Sequence, residues 1–399
     1  MVSFVSVQHK YFQSYKFLSR FAQFSRLFSS RTRFNAGTRA KVENYSYIYR
    51  VKRAYLRPNT NKTMIRIFDN ADLTSRNSFH VCQRATRLIE FEKPEELTEI
   101  FERHIIGDWM ALGGGNNILF TRDADMTLIA PRNLTTEIVS EDEHQVRVRV
   151  GAGVEWDDFV EWCVERDLWG VENLSLIPGK VGAAPVQNIG AYGREAKDVI
   201  RRVEFFRADE RTFDTLSVEE CEFGYRESIF KHALKDKVVI VSVEFALCKQ
   251  PSPDLHYGDV AREVEQRGGA SLRNIRDAIC AIRRSKLPDT AVTGNAGSFF
   301  KNPIVGRDVA ERLLAAHPDM PHYPAADPSC IKLAAGWLID RAGMKGYTEG
   351  HVGVHPRQAL VLINTGGADG GEVLALARKV QRKVREQFGI DIDTEVNIL

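Results

Sequence analysis

A glycine-rich stretch between Asn173 and Gly193 has the composition of a phosphate-binding loop. It reads NLSLIPGKVGAAPVQNIGAYG, with four glycines, one basic residue and no acidic residue. Glycine lets the backbone approach another molecule closely, and backbone N–H groups without nearby carboxylates favour a phosphate. Pro178 and Pro185 stiffen the run, so its amides would be placed before a ligand arrives. A packed loop between strands is the alternative, but a segment of about 20 residues without regular structure is more often functional.

Two shorter glycine turns could meet the same ligand. Residues 113–117 (GGGNN) lie between the apolar runs of WMALGGGNNILF, and asparagine tolerates the left-handed backbone that such turns need. The chain then returns to a strand rather than entering a helix, which excludes a Rossmann fingerprint. In HQVRVRVGAGVEW, an alternating strand turns at Gly151 and Gly153 into the helix WDDFVEWCVERD. The two turns and the long loop could converge on one extended ligand.

The elements that must position these turns follow from periodicity. VCQRATRLIEFEKPEEL predicts a strand and then a helix that Pro94 opens. RRVEFF and KVVIVSVEFAL predict strands, and LRNIRDAICAIRRSKLP predicts a helix that ends before Pro288. The amphipathic segment 372–389 predicts a helix leading to a last strand, IDTEVNIL. Pro251 and Pro253 mark a linker between two α/β-containing parts.

Composition limits the class of protein. At 399 residues, two or three domains are expected. No stretch approaches 18 apolar residues, so no membrane span is predicted. The six cysteines are scattered without a CxxC pair, which favours free thiols in a reducing compartment over disulfides. The ten histidines are equally dispersed, and we predict no metal site.

The first 63 residues differ from the remainder in charge. They contain thirteen Lys and Arg residues against one acid, Glu43. Such a segment is typical of an organelle transit peptide or a nucleic-acid-binding arm. The abrupt change at Met64 favours a third interpretation, in which the fold begins there. We therefore expect 1–63 to be no part of the folded protein, and we expect no nucleic-acid partner.

From about Ser78 onward, the chain resembles the UDP-N-acetylenolpyruvoylglucosamine reductase family, flavoenzymes that make UDP-N-acetylmuramate for peptidoglycan. The matching segments occur in family order: GGGNNILF, NLSLIPGKVGAAPVQNIGAYG, FGYRESIFKH, LHYGD, SKLPD, GNAGSFFKNP, KLAAGWLID and TEVNIL. The LHYGD segment indicates the subtype that closes a tyrosine-bearing loop over the substrate.

The resemblance implies an α+β fold, with an FAD-binding domain of the vanilloyl-alcohol-oxidase (PCMH) type and a smaller α/β substrate-binding domain. The expected divisions are an extension at 1–63, the FAD domain at 64–250, the substrate-binding region at 251–388 and a C-terminal strand at 389–399.

The resemblance also assigns site residues. The catalytic positions are Arg226, Ser298 and Glu395. FAD pyrophosphate would lie on the amides of Gly113 to Asn117 and of Gly179 to Pro185. The implied cofactor positions are Gly113, Gly114, Gly115, Asn116, Asn117, Pro178, Gly179, Val181, Gly182, Ala183, Ala184, Asn188, Gly190 and Ala191. The implied substrate positions are Tyr257 and Lys286 for the UDP portion and, as weaker matches, Asn302, Lys345 and Gln358.

Two positions depart from the family pattern. Asn116 stands where the family usually has serine, which leaves the backbone donors intact but not that side-chain contact. Asn397 stands where the family often has arginine, so we assign it no role.

The implied reaction is chemically coherent. NADPH would reduce FAD, and hydride would pass from flavin N5 to the enolpyruvyl methylene. Arg226 would stabilise the negative charge that forms beside the carboxylate, and Ser298 would deliver the proton to the α-carbon. Glu395 would polarise the enolate if it is protonated or orient Arg226 if it is ionised; the sequence leaves both open. We expect a cytoplasmic monomer acting on a small-molecule substrate.

Two rival functions remain at this stage. One is an oxidase or other dehydrogenase of the same flavin fold, which the substrate-handling segments SFFKNP and LHYGD disfavour. The other is a flavin- or nucleotide-binding protein without turnover, which the joint presence of Arg226, Ser298 and Glu395 disfavours.

Overall fold

Strands and helices follow the apolar periodicity of the chain from Met64 onward. The computed structural model describes residues 64–105 and 107–399, so the predicted extension 1–63 lies outside the described residues. The first strands are β1 (Arg66–Asp72), β2 (Arg84–Phe91), β3 (Trp109–Ala111), β4 (Ile118–Leu119), β5 (Ala124–Pro131), β6 (Thr136–Glu141) and β7 (Gln145–Gly151). The first helices are α1 (Glu96–Arg103) and α2 (Trp156–Val164).

The middle of the chain is again mixed. Its strands are β8 (Gly190–Ala191), β9 (Arg194–Glu195), β10 (Ile200–Arg207), β11 (Thr212–Ser217) and β12 (Val238–Cys248). Its helices are α3 (Val260–Glu265) and α4 (Leu272–Lys286). The glycine-rich stretch contains the end of the 3-10 turn Glu172–Leu174, the 3-10 turn Val181–Ala183 and β8, and the rest of it is irregular, as predicted.

The C-terminal part alternates short strands with helices. Its strands are β13 (Gly294–Ser298), β14 (Ile304–Gly306), β15 (His322–Pro324), β16 (Cys330–Leu333), β17 (Thr348–Glu349), β18 (Val352–Val354), β19 (Val361–Asn364) and β20 (Asn397–Ile398). Its helices are α5 (Arg307–Ala316), α6 (Ala335–Arg341) and α7 (Gly370–Phe388). The predicted last strand is therefore shorter than IDTEVNIL, with only two residues in regular pairing.

Two sheets carry the N-terminal two-thirds of the described chain. The first has the order β1-β2-β5-β3, with β5 parallel to both β2 and β3. The second has the order β11-β10-β12-β7-β6 and is antiparallel throughout. In β7 the valines at 146, 148 and 150 are buried and the arginines between them are exposed, which is the alternation that the sequence predicted.

Capping residues in the sequence mark the ends of helices α4 and α7. Ser271 Oγ accepts from the amide of Asn274 at 3.1 Å and caps α4, which ends shortly before Pro288. A reciprocal Asp369–Glu372 capping box opens α7, and Gly389 ends it with φ 68°. Both helices were predicted from the sequence, and both predictions are confirmed.

Apolar packing joins distant parts of the chain. One core cluster combines Leu88 of the first sheet and Phe79, which lies between β1 and β2, with Phe299 and with Val380 of α7. A second cluster fills the space between the antiparallel sheet and α2, and a third lies under α3 and α4. The described residues lie in one compact unit. The α+β class is confirmed, while the domain boundaries stay a prediction.

No helix in residues 64–105 and 107–399 combines the length and the apolar character that crossing a membrane requires.

Candidate functional site

The turn between β3 and β4 presents backbone donors that nothing in the described chain uses. The amides of residues 113–117 form none of the hydrogen bonds found within residues 64–105 and 107–399. Gly115 takes φ 67°, and a Cβ there would collide with the carbonyl of Arg76. A Cβ on Gly114 would lie 3.2 Å from the Cα of Gly179, so this turn and the long loop approach each other closely. Five free amides in a glycine turn suit a pyrophosphate.

The long loop contributes fewer free amides than its composition suggested. Val181 and Gly182 donate to Val154 and Ala152 at 2.9 and 3.1 Å, while Ala183 and Ala184 donate within the 3-10 turn at 2.9 and 3.1 Å. Pro178 and Pro185 have no N–H at all. The expectation that amides throughout Gly179–Pro185 hold a phosphate is thus corrected to the amides of Gly179 and Lys180. The remaining residues can form the wall of the site.

Asn188, a predicted cofactor position, also has a structural role in the described chain. Its side chain is buried, donates to Glu195 Oε2 at 2.9 Å and to the Gly224 carbonyl at 3.0 Å, and accepts from the amide of Lys197 at 3.0 Å. Since these bonds occupy the amide group, the side chain joins the long loop to the turn that carries Arg226. A contact from Asn188 to the cofactor stays a prediction.

Arg226 lies at the tip of a tight turn closed by reciprocal backbone bonds between Gly224 and Glu227 at 2.9 and 3.3 Å. Its backbone has φ 58°, a left-handed value that non-glycine residues rarely adopt. Its Nη2 donates to the carbonyl of Gly190 at 2.8 Å. Its Nε lies 2.9 Å from Glu395 Oε1, but the N–H is not aligned on that oxygen, so the contact is an ion pair without a hydrogen bond.

Glu395 and Ser298 lie beside the same isolated backbone pairing. The amide of Glu395 donates to the carbonyl of Phe299 at 2.8 Å, and Thr394 pairs with Phe300. Ser298 is the residue before Phe299, and it ends β13 after Gly297, which has φ 67°. The structure therefore brings Arg226 and Glu395 into contact and places Ser298 on the strand that holds Glu395.

Asn117 links the glycine turn to Glu395. Asn117 Nδ2 donates to the carbonyl of Glu395 at 3.2 Å and to Gln187 Oε1. The carbonyl of Asn117 accepts from both the amide and the Nδ2 of Asn397, each at 3.1 Å. Asn397, to which the sequence assigned no role, thus fastens the C-terminal strand to the end of the glycine turn.

Two residues that sequence reasoning missed lie beside Arg226. Lys332 Nζ lies 4.2 Å from the ring centroid of Tyr225, and the guanidinium of Arg226 lies 5.6 Å from the same ring. Burial is the main cause that raises the pKa of Tyr225 and lowers the pKa of Lys332. No local sequence signal distinguishes Lys332, because its ring partner lies on a different segment of the chain.

Tyr257 and Lys286 lie around the start of α3. Tyr257 is 48% exposed, and its ring meets Tyr192 edge-on with centroids 5.9 Å apart. Burial of the hydroxyl, followed by the neighbouring Tyr323, raises the pKa of Tyr257. Lys286 Nζ lies 4.0 Å from Asp259, two residues after Tyr257. These two predicted UDP contacts therefore share one neighbourhood.

The weaker substrate predictions lie around α6. Asn302 Oδ1 accepts from the amide of Ala335 at 3.0 Å, which occupies that oxygen at the helix start. Gln358 Oε1 faces Gly336 in the same turn. Lys345 donates to Asp340 at 2.8 Å, near the other end of α6. Substrate contacts from these three residues stay predictions.

Two family models match this chain. A family model described as an FAD binding domain matches residues 102–215, and one described as the UDP-N-acetylenolpyruvoylglucosamine reductase C-terminal domain matches residues 288–399. The reductase of that name from Bacteroides fragilis is 47% identical over 330 residues, covering 82% of this chain and 98% of the relative. That from Pseudomonas aeruginosa is 46% identical over 336 residues, covering 83% and 98%.

A solved structure shows the same fold. The reductase from Thermus caldophilus superposes with a TM-score of 0.60 at 22% sequence identity, covering 84% of this chain and 99% of the other. At this identity the match concerns the fold alone. The FAD model and the named relatives together make this chain an FAD-dependent oxidoreductase.

Proposed function

The chain belongs to the UDP-N-acetylenolpyruvoylglucosamine reductase family, and we propose that it reduces UDP-N-acetylenolpyruvoylglucosamine to UDP-N-acetylmuramate with NADPH. The observation that supports this most is the Arg226–Glu395 ion pair at 2.9 Å, with Ser298 on the neighbouring strand. The product would serve peptidoglycan synthesis. The proposed setting is the cytoplasm.

The residues present fit FAD at the glycine turn. Five unused amides at residues 113–117, with those of Gly179 and Lys180 opposite, would hold the pyrophosphate. The chemistry that FAD supplies when bound is hydride transfer, from NADPH to the enolpyruvyl methylene. The Asn117 bond to the Glu395 carbonyl supports a cofactor position next to Arg226 and Glu395, which would handle charge.

Arg226 would stabilise the charge that hydride addition creates. Addition at the methylene leaves negative charge on the α-carbon, delocalised into its carboxylate. The guanidinium stays protonated, and Gly190 and Glu395 fix its direction, so its remaining N–H groups are pre-placed for that carboxylate. The 2.9 Å contact supports an orienting role for Glu395 over the polarising alternative.

Ser298 would deliver the proton. A serine hydroxyl is a weak acid, so it must act on a strongly basic carbon and be held in place. Ser298 lies at the end of β13, and the carbonyl of the next residue, Phe299, accepts from the amide of Glu395. This position would hold the hydroxyl in place.

The test is Ser298→Ala. We expect the variant to retain FAD and to be bleached by NADPH at nearly the normal rate, because neither step needs this proton donor. Turnover with the enolpyruvyl sugar should fall roughly 100-fold or more, the scale for losing a positioned acid. Rapid-mixing absorbance of the flavin separates the two steps.

Ser140→Ala is the matched control, because Ser140 is exposed on the edge strand β6, and it should behave as the parent protein. A Ser298→Ala protein that consumes the sugar at the parent rate would remove Ser298 from the mechanism. A parent protein that transfers electrons to oxygen but not to the sugar would favour an oxidase instead.

A further inference from the structure

The turn that carries Arg226 also carries an acidic residue with ion pairs of its own. Glu227 follows Arg226 directly, and its Oε1 accepts from Lys301 Nζ at 3.0 Å and from Lys231 Nζ at 3.4 Å. Its Oε2 is buried and lies 2.9 Å from His232 Nε2. Burial alone would raise the pKa of Glu227, but the hydrogen bond from Lys301 and the charge of Lys231 outweigh it and lower that pKa.

The protein covers most of the surface of these ion-paired side chains. The exposed fraction of the side chain is 35% for Glu227, 24% for Lys301 and 21% for Lys231. Ion pairs between fully exposed side chains contribute little, because water and salt screen them. Screening is weaker between covered groups, so the contact from Glu227 to the distant Lys301 is able to fix one segment of the chain against another.

Both ion pairs of the turn reach the same part of the C-terminal region. Lys301 and Glu395 lie beside the same isolated backbone pairing, that of Phe300 with Thr394. Two adjacent residues of the turn therefore contact two residues at this pairing with reversed charges. The arginine lies 2.9 Å from a glutamate, and the glutamate lies 3.0 Å from a lysine.

The Arg226–Glu395 contact alone would not hold the turn throughout the reaction. A substrate carboxylate would compete with Glu395 for the guanidinium, because both are anions that bind its N–H groups. The Glu227–Lys301 contact uses neither of these groups, so it persists while Arg226 changes partner. Lys231 supports the same turn by donating to the Arg226 carbonyl at 2.9 Å.

We propose that Glu227, through its ion pair with Lys301, is a positioning residue that holds Arg226 in place for the enolpyruvyl carboxylate. This inference rests on the proposed function and adds to it the pair that fixes the arginine. Neither Glu227 nor Lys301 would touch the substrate. Displacing a reacting group by about 1 Å costs roughly 100-fold in rate, so loss of the pair should be measurable even where the displacement is smaller.

Glu227→Gln tests the proposal, because it keeps the size of the side chain and removes its charge. We expect FAD content and bleaching by NADPH at nearly the parent values, with reoxidation by the enolpyruvyl sugar slowed roughly 10-fold. Lys301→Met should give the same result, since the backbone amide of Lys301 keeps its bond to Asp393. Lys301→Arg keeps the charge and should recover most of the rate. Rapid-mixing absorbance of the flavin measures both steps.

The double variant Glu227→Gln/Lys301→Met shows whether the two residues act through one contact. If they do, its reoxidation should be no slower than that of the slower single variant. Glu349→Gln is the matched control, because Glu349 Oε2 also accepts from two donors, Tyr347 and Lys379, at 2.8 and 2.6 Å. The control should match the parent in both steps.

Three results would overturn the proposal. One is reoxidation of Glu227→Gln at the parent rate, and another is a double variant whose loss is the product of the two single losses. The third is equal slowing of bleaching and of reoxidation, which a merely structural role would produce. Loss of FAD from both single variants belongs with the third result, because it would show that the pair serves the fold as a whole.

The parent protein separates this inference from the proposed function. If the parent does not reduce the enolpyruvyl sugar, the proposed function fails. If the parent turns the sugar over and Glu227→Gln does so equally fast, only the role of Glu227 fails.

Discussion

Arg226 has a strained backbone conformation, and its contacts fix the orientation of its side chain. A left-handed conformation at a non-glycine residue costs on the order of 1 kcal/mol or more. The surrounding turn holds it there, because Gly224 and Glu227 close the turn and Lys231 Nζ donates to the Arg226 carbonyl at 2.9 Å. The strain therefore serves to aim the guanidinium at Gly190 and Glu395.

Replacing this guanidinium by an ammonium should slow one half of the reaction. Arg226→Lys keeps the charge but loses the planar fork. We expect normal FAD content and normal bleaching by NADPH, with reoxidation by the enolpyruvyl sugar slowed roughly 100-fold. Rapid-mixing absorbance measures both rates.

Arg211→Lys provides the matched control for the backbone. Arg211 also has a left-handed backbone, with φ 56°, but it lies on an exposed turn. The control should match the parent in both rates. Equal slowing of NADPH bleaching and of reoxidation in Arg226→Lys would contradict a role confined to the sugar.

Residue types alone predicted only part of this site. The glycine turn at 113–117 was predicted as a source of amides, and its donors are indeed unused. The amides of Val181 and Gly182 were predicted in the same way, but they bond Val154 and Ala152 from a different glycine turn. Such pairing depends on tertiary contacts, which composition does not contain. The Arg226–Glu395 contact likewise came only through resemblance to a family.

Helix α4 shows how an element positions charged groups. Arg273 and Arg276 bind Glu161, and Arg276 binds Asp157, so α4 is fixed to α2 by a charged network. Burial alone would raise the pKa of Asp157, but the hydrogen bonds from Arg276 and from the amide of Leu176 outweigh it and lower that pKa. The network fixes the helix whose last residue is Lys286.

This network predicts a pH-dependent stability difference. Because the pKa of Asp157 is lower in the folded state, its contribution is complete near neutral pH and is lost as the pH falls through that lowered value. Asp157→Asn should therefore reduce the free energy of unfolding by about 2 kcal/mol at pH 7, a value discounted for partial solvent exposure. The difference should shrink below about pH 4.

Urea unfolding at several pH values measures this difference. Asp158→Asn is the control, since Asp158 is the exposed neighbour and should show no such loss. A difference between Asp157→Asn and the parent that stays constant down to acidic pH would contradict the assignment.

The positions of the helices and strands were largely predictable from the sequence, and the exceptions have physical causes. The apolar repeat of α4 identified the helix and its end before Pro288. The same repeat places Arg276 on the buried face, although an arginine there is not expected from apolar periodicity alone. The last strand was predicted as longer than β20, because Thr394 and Glu395 pair only with Phe300 and Phe299 by isolated bonds.

Across the whole molecule, the C-terminal segment connects the glycine turn at 113–117 to the segment that follows β13. On one side, Lys301 donates to the Asp393 carbonyl at 2.9 Å and Glu395 to that of Phe299 at 2.8 Å. On the other side, β20 runs parallel to β4 and Asn397 bonds Asn117. The last residues of the chain thus connect the start and the end of the fold at the site itself.

Removing the Asn397 side chain should loosen this connection. Asn397→Ala loses the Nδ2 bond to the Asn117 carbonyl, which should cost about 1 kcal/mol of unfolding free energy and weaken FAD retention. Asn397→Asp should be worse, because it turns a carboxylate oxygen towards a carbonyl. Urea unfolding and FAD release on dilution measure both effects. If Asp is tolerated better than Ala, the hydrogen bond is not what the side chain contributes.

The central claim is that this protein reduces the enolpyruvyl sugar through its flavin, and a single turnover tests it directly. The purified protein is reduced anaerobically with one equivalent of NADPH and then mixed with UDP-N-acetylenolpyruvoylglucosamine. We predict that the oxidised-flavin absorbance returns and that an equal amount of UDP-N-acetylmuramate forms. A flavin that stays bleached with the sugar and recovers only when oxygen is admitted would contradict the account.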